Sequence, residues 1–311
     1  MKQTFIILTA FALMGLGSCK KDLLDTAPYD QLGSANMWLT DNLTDLGVNG
    51  IYQALRLNYG NLDGYEPYQT DMWSFTGQNR NAPPMMQGTI LPNNALFSNY
   101  WRGYYEGVIR ANDAIANIPT KSPSADIKKA RLIAEAKFLR AYFYFKLNEM
   151  WRGVPLYLEP VNYDQFKKPR ETEQAVWDAV IKDLTDAINE PNLPNRYQKG
   201  NTNFGRATKG AAYALRGKTY LYMGRWNEAA ADLAKVEEVG HALFPNYREL
   251  FREANEQSEE MIFSVQNISV PNLGSSTQFY VGTRSSFGSC WNNFLVSPNL
   301  VDLYEKTDGS A

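Results

Sequence analysis

The stretch GRATKGAAYALRGKTYLYMGRWNEAAADL, residues 205–233, decides the fold. Tyr213, Gly217 and Tyr220 recur at helical spacing, and so do Trp226, Ala229, Leu233 and Val236 further on. Met223-Gly224-Arg225 breaks the run between the two sets. The spacing predicts a helical hairpin over residues 206–239. Small residues sit where the arms cross, a glycine sits at the turn, and bulky residues fill the remaining apolar positions.

That arrangement resembles a tetratricopeptide unit, in the order Gly217, Tyr220, Gly224, Trp226, Ala229. A looser pair precedes it. Trp101, Tyr104, Tyr105, Val108, Ile115 and Ile118 predict a helix over 96–118, closed by Pro119. Leu132, Ala136, Leu139, Phe143, Leu147 and Met150 predict a second over 124–150, with Ser124 as its cap. Helical pairs that each hide one face on the next make a short solenoid.

Further helices are expected at 34–58, with Leu39, Leu43, Leu46, Gly50 and Ala54 near one face, and at 172–190. The latter carries Val176, Val180, Leu184 and Ile188 inward, has Thr172 as a cap, and is closed by Pro191 and Pro194. Residues 151–170 read as a loop holding the apolar piece Val154–Leu158. Met261–Val265 suits a short strand, and 297–305 restarts a helix with Leu300, Leu303 and Tyr304. Residues 267–293 are rich in Ser, Gly and Asn, with Phe279, Tyr280, Phe287 and Trp291 among them; in 59–95 Gly, Pro, Asn and Gln crowd in among aromatics and no period of 2 or 3.6 survives. Loops of that length are uncommon and often functional. The fold class is therefore mostly α: a helical-hairpin solenoid with long loops and a little β.

The N-terminus carries a separate signal. Lys2 precedes an apolar run from Phe5 to Leu16, and Leu16-Gly17-Ser18 lead into Cys19. The run of about 12 residues falls short of the roughly 20 that span a bilayer. The layout is that of a secretory signal whose cut falls before a cysteine, and it resembles a bacterial lipobox. Residues 1–18 are then the signal peptide, 19–33 a tether lipidated at Cys19, and 34–311 the solenoid domain. Several acyl chains on Cys19 would anchor the protein in lipid permanently.

After removal of residues 1–18 the chain keeps 30 Lys+Arg against 33 Asp+Glu, a net charge of −3, which disfavours nucleic acid as a partner. Cys290 is the other cysteine, so a lipid-linked Cys19 leaves no disulfide framework. The only histidine is His241, which leaves little material for a metal site or a histidine-based triad. It is expected to help end a helix beside Gly240. No GxGxxG, GxxxxGK[ST] or GxSxG occurs. Glu237-Glu238 and Glu259-Glu260 are adjacent, and neighbours on a helix point apart, so they make no glycosidase pair. Cys290 reads as a buried thiol. Glu135 and Arg140 read as structural links between helices. Asn112, amid an apolar stripe, is expected to bond a loop backbone. No cofactor and no metal site is expected.

Four blocks resemble the SusD/RagB family of outer-membrane lipoproteins. They are YWRGYYEGVIRANDAIANIP (100–119), EAKFLRAYFYFKLNEMWRGVPL (135–156), the 205–233 stretch and LVDLYEKTDG (300–309), together with the lipobox. The resemblance implies a helical solenoid with loops packed on one side, held at the cell surface. It implies a SusC-like, TonB-dependent transporter as partner, and capture of glycan or peptide nutrient without chemistry. Family members are longer, so the sequence is expected to be an N-terminal portion of a longer protein.

Sugar rings pack their C–H faces on Trp and Tyr and need Asp, Asn, Gln or Arg at their edges. Two loop segments have that composition. Tyr65, Asp71, Trp73, Asn79 and Arg80 lie in the first; Tyr280, Arg284 and Trp291 lie in the second, with Asn292 beside them. The family draws its ligand sites from these two general regions. The alternative for each aromatic is that it packs a loop onto the solenoid. Two rival functions stay open: a tetratricopeptide-like scaffold for a protein partner, and a surface glycosidase.

Overall fold

Each helix hides its apolar stripe against the next helix in sequence. The computed structural model describes residues 33, 36–57, 73–75, 89, 91–93, 95–162, 165–266, 290, 294–296 and 298–304. The main helices are α1 (Asp41–Leu57), α2 (Ala95–Lys121), α3 (Asp126–Trp151), α4 (Glu173–Asn189), α5 (Lys209–Tyr222) and α6 (Trp226–Glu238). Packing runs α1 on α2, α2 on α3, α3 on α4, α4 on α5 and α5 on α6, and α1 also touches α3. This is the nearest-neighbour order of a helical-hairpin solenoid. A short helix, α7 (Tyr247–Leu250), follows α6, and α8 (Pro298–Asp302) comes last. The β structure among the described residues is one antiparallel pair, β1 (Trp73–Phe75) with β2 (Phe294–Val296).

α3 is the central helix. Its expected stripe of Leu132, Ala136, Leu139, Phe143 and Leu147 is buried, but so are Phe138, Tyr144 and Phe145 around it. A helix apolar on several sides is packed on several sides. The 205–233 hairpin forms as expected. Thr208 Oγ1 caps α5 by accepting from Ala211 N at 3.1 Å. Gly224 takes φ +71° at the turn, a conformation that costs glycine little. Thr172 caps α4 in the same way, accepting from Ala175 N at 3.1 Å.

Five local expectations need correction. The first helix begins at Asp41, and its buried stripe is Thr44, Val48, Ile51, Ala54 and Leu55, whereas Leu39 is 57% and Leu46 47% exposed. Trp38 sets that rotation: its indole N–H donates to Asp113 Oδ2 at 2.9 Å, and its ring lies over Gly47. α2 runs through Pro119 to Lys121, because proline's fixed φ is helical and the ring disturbs only the turn before it. Ser124 does not cap α3; the N-cap is Ala125, with no side-chain bond. The Ser124 hydroxyl instead donates to Asp41 Oδ1 at 2.6 Å, joining the starts of α1 and α3. Met261–Val265 is not a strand. Ile262 and Phe263 are consecutive yet both pack on the core, which the alternation of a one-faced strand forbids. The last helix stops at Asp302, short of the expected 305, and Leu303 and Tyr304 follow it exposed.

The loop after α3 lies against the helices, and side chains satisfy its backbone. Tyr105 Oη donates to Pro155 O at 2.7 Å, and Arg140 Nη1 to Leu158 O at 2.7 Å. Asn112 Nδ2 donates to Tyr157 O at 2.8 Å and to Glu159 O at 3.2 Å, as expected of a polar residue in an apolar stripe. Tyr144 Oη donates to Tyr157 O at 2.9 Å and accepts from Tyr157 N at 2.7 Å. A buried loop is tolerable only when its peptide groups find such partners.

Candidate functional site

Two polar nodes fix the helices that carry the loops. Glu135 on α3 is fully buried. It accepts from Arg131 Nη1 at 2.8 Å, from Tyr52 Oη on α1 at 2.9 Å, and from Arg206 Nε at 2.9 Å and Nη2 at 2.8 Å. Arg206 also donates to Asn49 Oδ1 at 2.7 Å. Burial opposes the Arg206 charge, but the Glu135 carboxylate together with the Tyr52 and Tyr197 phenols outweighs it and raises the pKa of the guanidinium. Burial, reinforced by the Glu135 charge, pushes the Tyr52 phenol well above its ordinary value. The second node is Arg140, which grips Asp183 of α4 through Nε and Nη2, both at 2.7 Å, and donates from Nη1 to Asn112 Oδ1 at 2.8 Å. Bidentate guanidinium–carboxylate pairs combine strength with fixed geometry. The reading of Glu135 and Arg140 as links between helices is correct.

On this frame the two sequence-nominated loops share their roots, and β1, inside the first loop, pairs with β2, just past the second. The first leaves α1 just after Arg56, and the second begins just after Gln266. Arg56 Nη1 donates to Gln266 O at 3.4 Å, so the two departures are neighbours. Upstream of Gln266, Phe263 stacks edge-on against Phe138 of α3 at 5.0 Å, which fixes that root on the body. Beyond the loops, β1 pairs with β2 in the register Trp73↔Val296, Ser74↔Leu295, Phe75↔Phe294. Contacts between described residues thus precede and follow the stretches 58–72 and 267–293: Arg56 meets Gln266 before them and β1 meets β2 after them, with Asn79 and Arg80 lying beyond β1 in sequence.

Of the nominated residues, Trp73 lies on β1 opposite Val296, with its side chain outside the described residues. Tyr65, Asp71, Asn79, Arg80, Tyr280, Arg284, Trp291 and the lipidation residue Cys19 also lie outside the described residues. Sequence reasoning missed the clamp itself. Arg56 and Gln266 are 210 positions apart, and nothing local marks either one as a partner. Trp73, Phe75, Phe294 and Val296 favour strands, a signal present but too short to stand out.

His241 does close α6 with its backbone, donating to Val236 O at 3.2 Å beside Gly240 at φ +99°. Its ring goes elsewhere. Nδ1 lies 2.8 Å from Glu259 O, and Nε2 sits over Gly210, where any Cβ would be 2.4 Å away. Cys290 is a buried free thiol. Among the described residues no three His, Cys, Asp or Glu side chains gather as metal ligands would, and no helix is long and apolar enough to cross a membrane.

Fold and clamp together define a class: a helical-hairpin solenoid with two long inter-helix segments tied to one another. A SusD-like family model, described as "Starch-binding associating with outer membrane", matches residues 22–221. The chain belongs to the SusD-like family. It is similar to a SusD-like protein of Bacteroides ovatus, 25% identical over 99% of this chain and 58% of the relative. Among solved structures, a laminarin-binding SusD-like protein is 28% identical with a TM-score of 0.75, covering 85% of this chain and 63% of that one. A SusD-like carbohydrate-binding protein of Bacteroides fragilis is 25% identical with a TM-score of 0.77, covering 88% of this chain and 55% of that one. The chain spans 58–61% of the length of three curated relatives it matches and 30% of a fourth.

Proposed function

We propose that this protein is a lipoprotein, anchored in the outer membrane through Cys19 and facing out from the cell surface. It binds glycan between the segments around Trp73 and Trp291 and delivers it, chemically unaltered, to a SusC-like, TonB-dependent transporter. Tyr65, Asp71, Asn79 and Arg80 serve from the first segment, and Tyr280 and Arg284 from the second. The observation that carries this reading is the clamp: two segments of sugar-binding composition, remote in sequence, are joined at Arg56–Gln266 and again at β1–β2. The laminarin-binding relative and the starch-binding description of the family support glycan as the ligand class. Affinity comes from ring stacking plus edge hydrogen bonds, and it is moderate because each hydroxyl gives up water to bind.

The test is titration with laminarin and soluble starch. The parent protein is expected to bind one of them, and both Trp73→Ala and Trp291→Ala are expected to bind it at least several-fold more weakly. Unchanged affinity in both variants contradicts the site. Hydrolysis of either polysaccharide by the purified protein contradicts the non-catalytic role.

A further inference from the structure

A cleft of about 520 Å³ opens on the helical body where Pro155, Tyr157 and Phe166 close over one side of α2. Its size suits a small ligand. None of its lining residues belongs to the two clamped loops.

The floor is ring surface. Tyr105 and Tyr157 meet edge to face at 6.0 Å, and both are buried. Their hydroxyls are committed to the protein: Tyr105 Oη donates to Pro155 O, and Tyr157 Oη accepts from Lys168 N at 3.4 Å. Trp101 adds a ring 4.9 Å from Tyr105 and is braced edge-on by Trp151 at 5.2 Å. Phe166 lies 5.6 Å from Tyr157 and is 42% exposed, and Ile109 beside it is 43% exposed. A cleft floored by buried rings, with Phe166 and Ile109 open to water at its edge, has the character of a binding surface.

The rim narrows the ligand class. Arg102 and Glu106 stand one helical turn apart on α2, a donor and an acceptor on the same edge. Arg102 is braced by Asn99 Oδ1 at 2.9 Å, and Glu106 by Arg110 at 2.7 Å. Arg102 repels a cationic ligand, and so does Lys168, whose Nζ stands 5.4 Å from the Tyr157 ring centroid, while the Glu106 charge is taken up by Arg110. A purely aliphatic ligand leaves the Arg102 donors unused. A neutral ring with one apolar face and a hydroxyl-bearing edge satisfies floor and rim together.

We propose that this cleft is a second saccharide subsite, built on the helices and independent of the loops. The choice of saccharide rests on the glycan reading above. The location rests on the cleft alone. Two subsites on one body hold a long chain more firmly than either does alone.

The test is methyl NMR of the isoleucine-labelled whole chain, titrated with maltohexaose and laminarihexaose. The Ile109 methyl signal is expected to shift and saturate with one of them. Phe166→Leu keeps apolar bulk but removes the ring, and it should weaken that response roughly three- to tenfold. Phe166→Tyr keeps the ring and should preserve it. Trp73→Ala should leave the Ile109 response intact even where it abolishes laminarin or starch retention, so the loop site and the cleft fail separately. The proposal is overturned if neither oligosaccharide moves Ile109, or if Phe166→Leu responds like the parent. It is equally overturned if Ile109 responds to N-acetyl-phenylalaninamide and to no saccharide, which would make the cleft a seat for a protein side chain.

Discussion

Glu135 shows how one residue can bind three parts of the chain. It sits at the centre of α3 with no solvent contact, yet it carries a charge. Two guanidiniums and a phenol surround it, so its lone pairs are used. Removing one side of a buried ion pair costs about 3–5 kcal/mol, because the other side keeps its burial and loses its partner. Glu135→Gln preserves volume but leaves Arg131 and Arg206 facing an amide. Arg131 and Arg206 reach some solvent at their tips, which places the expected loss near the lower end, about 3 kcal/mol. Urea unfolding checks this, with Glu238→Gln as the control. Glu238 pairs with Lys235 in full solvent, and its loss should leave the midpoint where it was. A midpoint for Glu135→Gln equal to the control's would show that the node is not holding α1 to α3. The residue-by-residue reading did single out Glu135, Arg140 and Asn112 as structural. It could not name Tyr52, Arg206 or Asp183 as their partners, because an ion pair between distant helices leaves no local trace.

At the scale of elements, close helix contacts are set by glycines, and two of them predict opposite outcomes. A Cβ at Gly107 of α2 would lie 2.3 Å from the Phe143 ring, which is wholly buried and hemmed in by Tyr104 and Tyr142. Overpacking of that kind costs about 1–3 kcal/mol and can exceed the gain of about 1 kcal/mol from replacing helical glycine by alanine. At Gly217 of α5 the Cβ would meet Leu233 Cγ at 2.9 Å, but Leu233 is partly exposed and its side chain can turn away. Gly107→Ala should therefore lower the thermal midpoint, while Gly217→Ala should leave it unchanged or raise it. Equal destabilisation by both would mean that the α5–α6 contact is as rigid as the α2–α3 contact. Element types and order were legible because helical periodicity survives over the long runs in 96–118, 124–150, 172–190 and 206–239. What failed was the rotation of α1, the Pro119 boundary, the Ser124 cap and a strand at Met261. In three cases a tertiary partner decides: Trp38 over Gly47, Asp41 drawing the serine hydroxyl, and the core drawing both Ile262 and Phe263; at Pro119 the cause is local, the helical φ of proline letting the helix run on to Lys121.

At the scale of the molecule, a helical stack carries the roots of two segments on one frame, and the proposed tether at Cys19 is separable from that stack. Cys19→Ala should move the protein from the membrane fraction to the soluble fraction without changing its helical circular dichroism. Persistence in the membrane fraction would count against lipid anchoring. The candidate site was legible in composition only. Trp and Tyr beside Asn and Arg mark both segments, with Asp in the first, but the meeting of their flanks depends on Arg56 reaching Gln266 and on three residues of β1 finding three of β2. Those pairings are too short and too distant for any sequence pattern to announce.

The most direct measurement is a double-mutant cycle with Trp73→Ala, Trp291→Ala and both together, each titrated with the polysaccharide that the parent protein binds. If the two segments form one site, the double variant loses much less than the sum of the single losses, with a coupling of about 0.5 kcal/mol or more. If the two losses add in full, the segments act independently and the account of a single clamped glycan site is wrong.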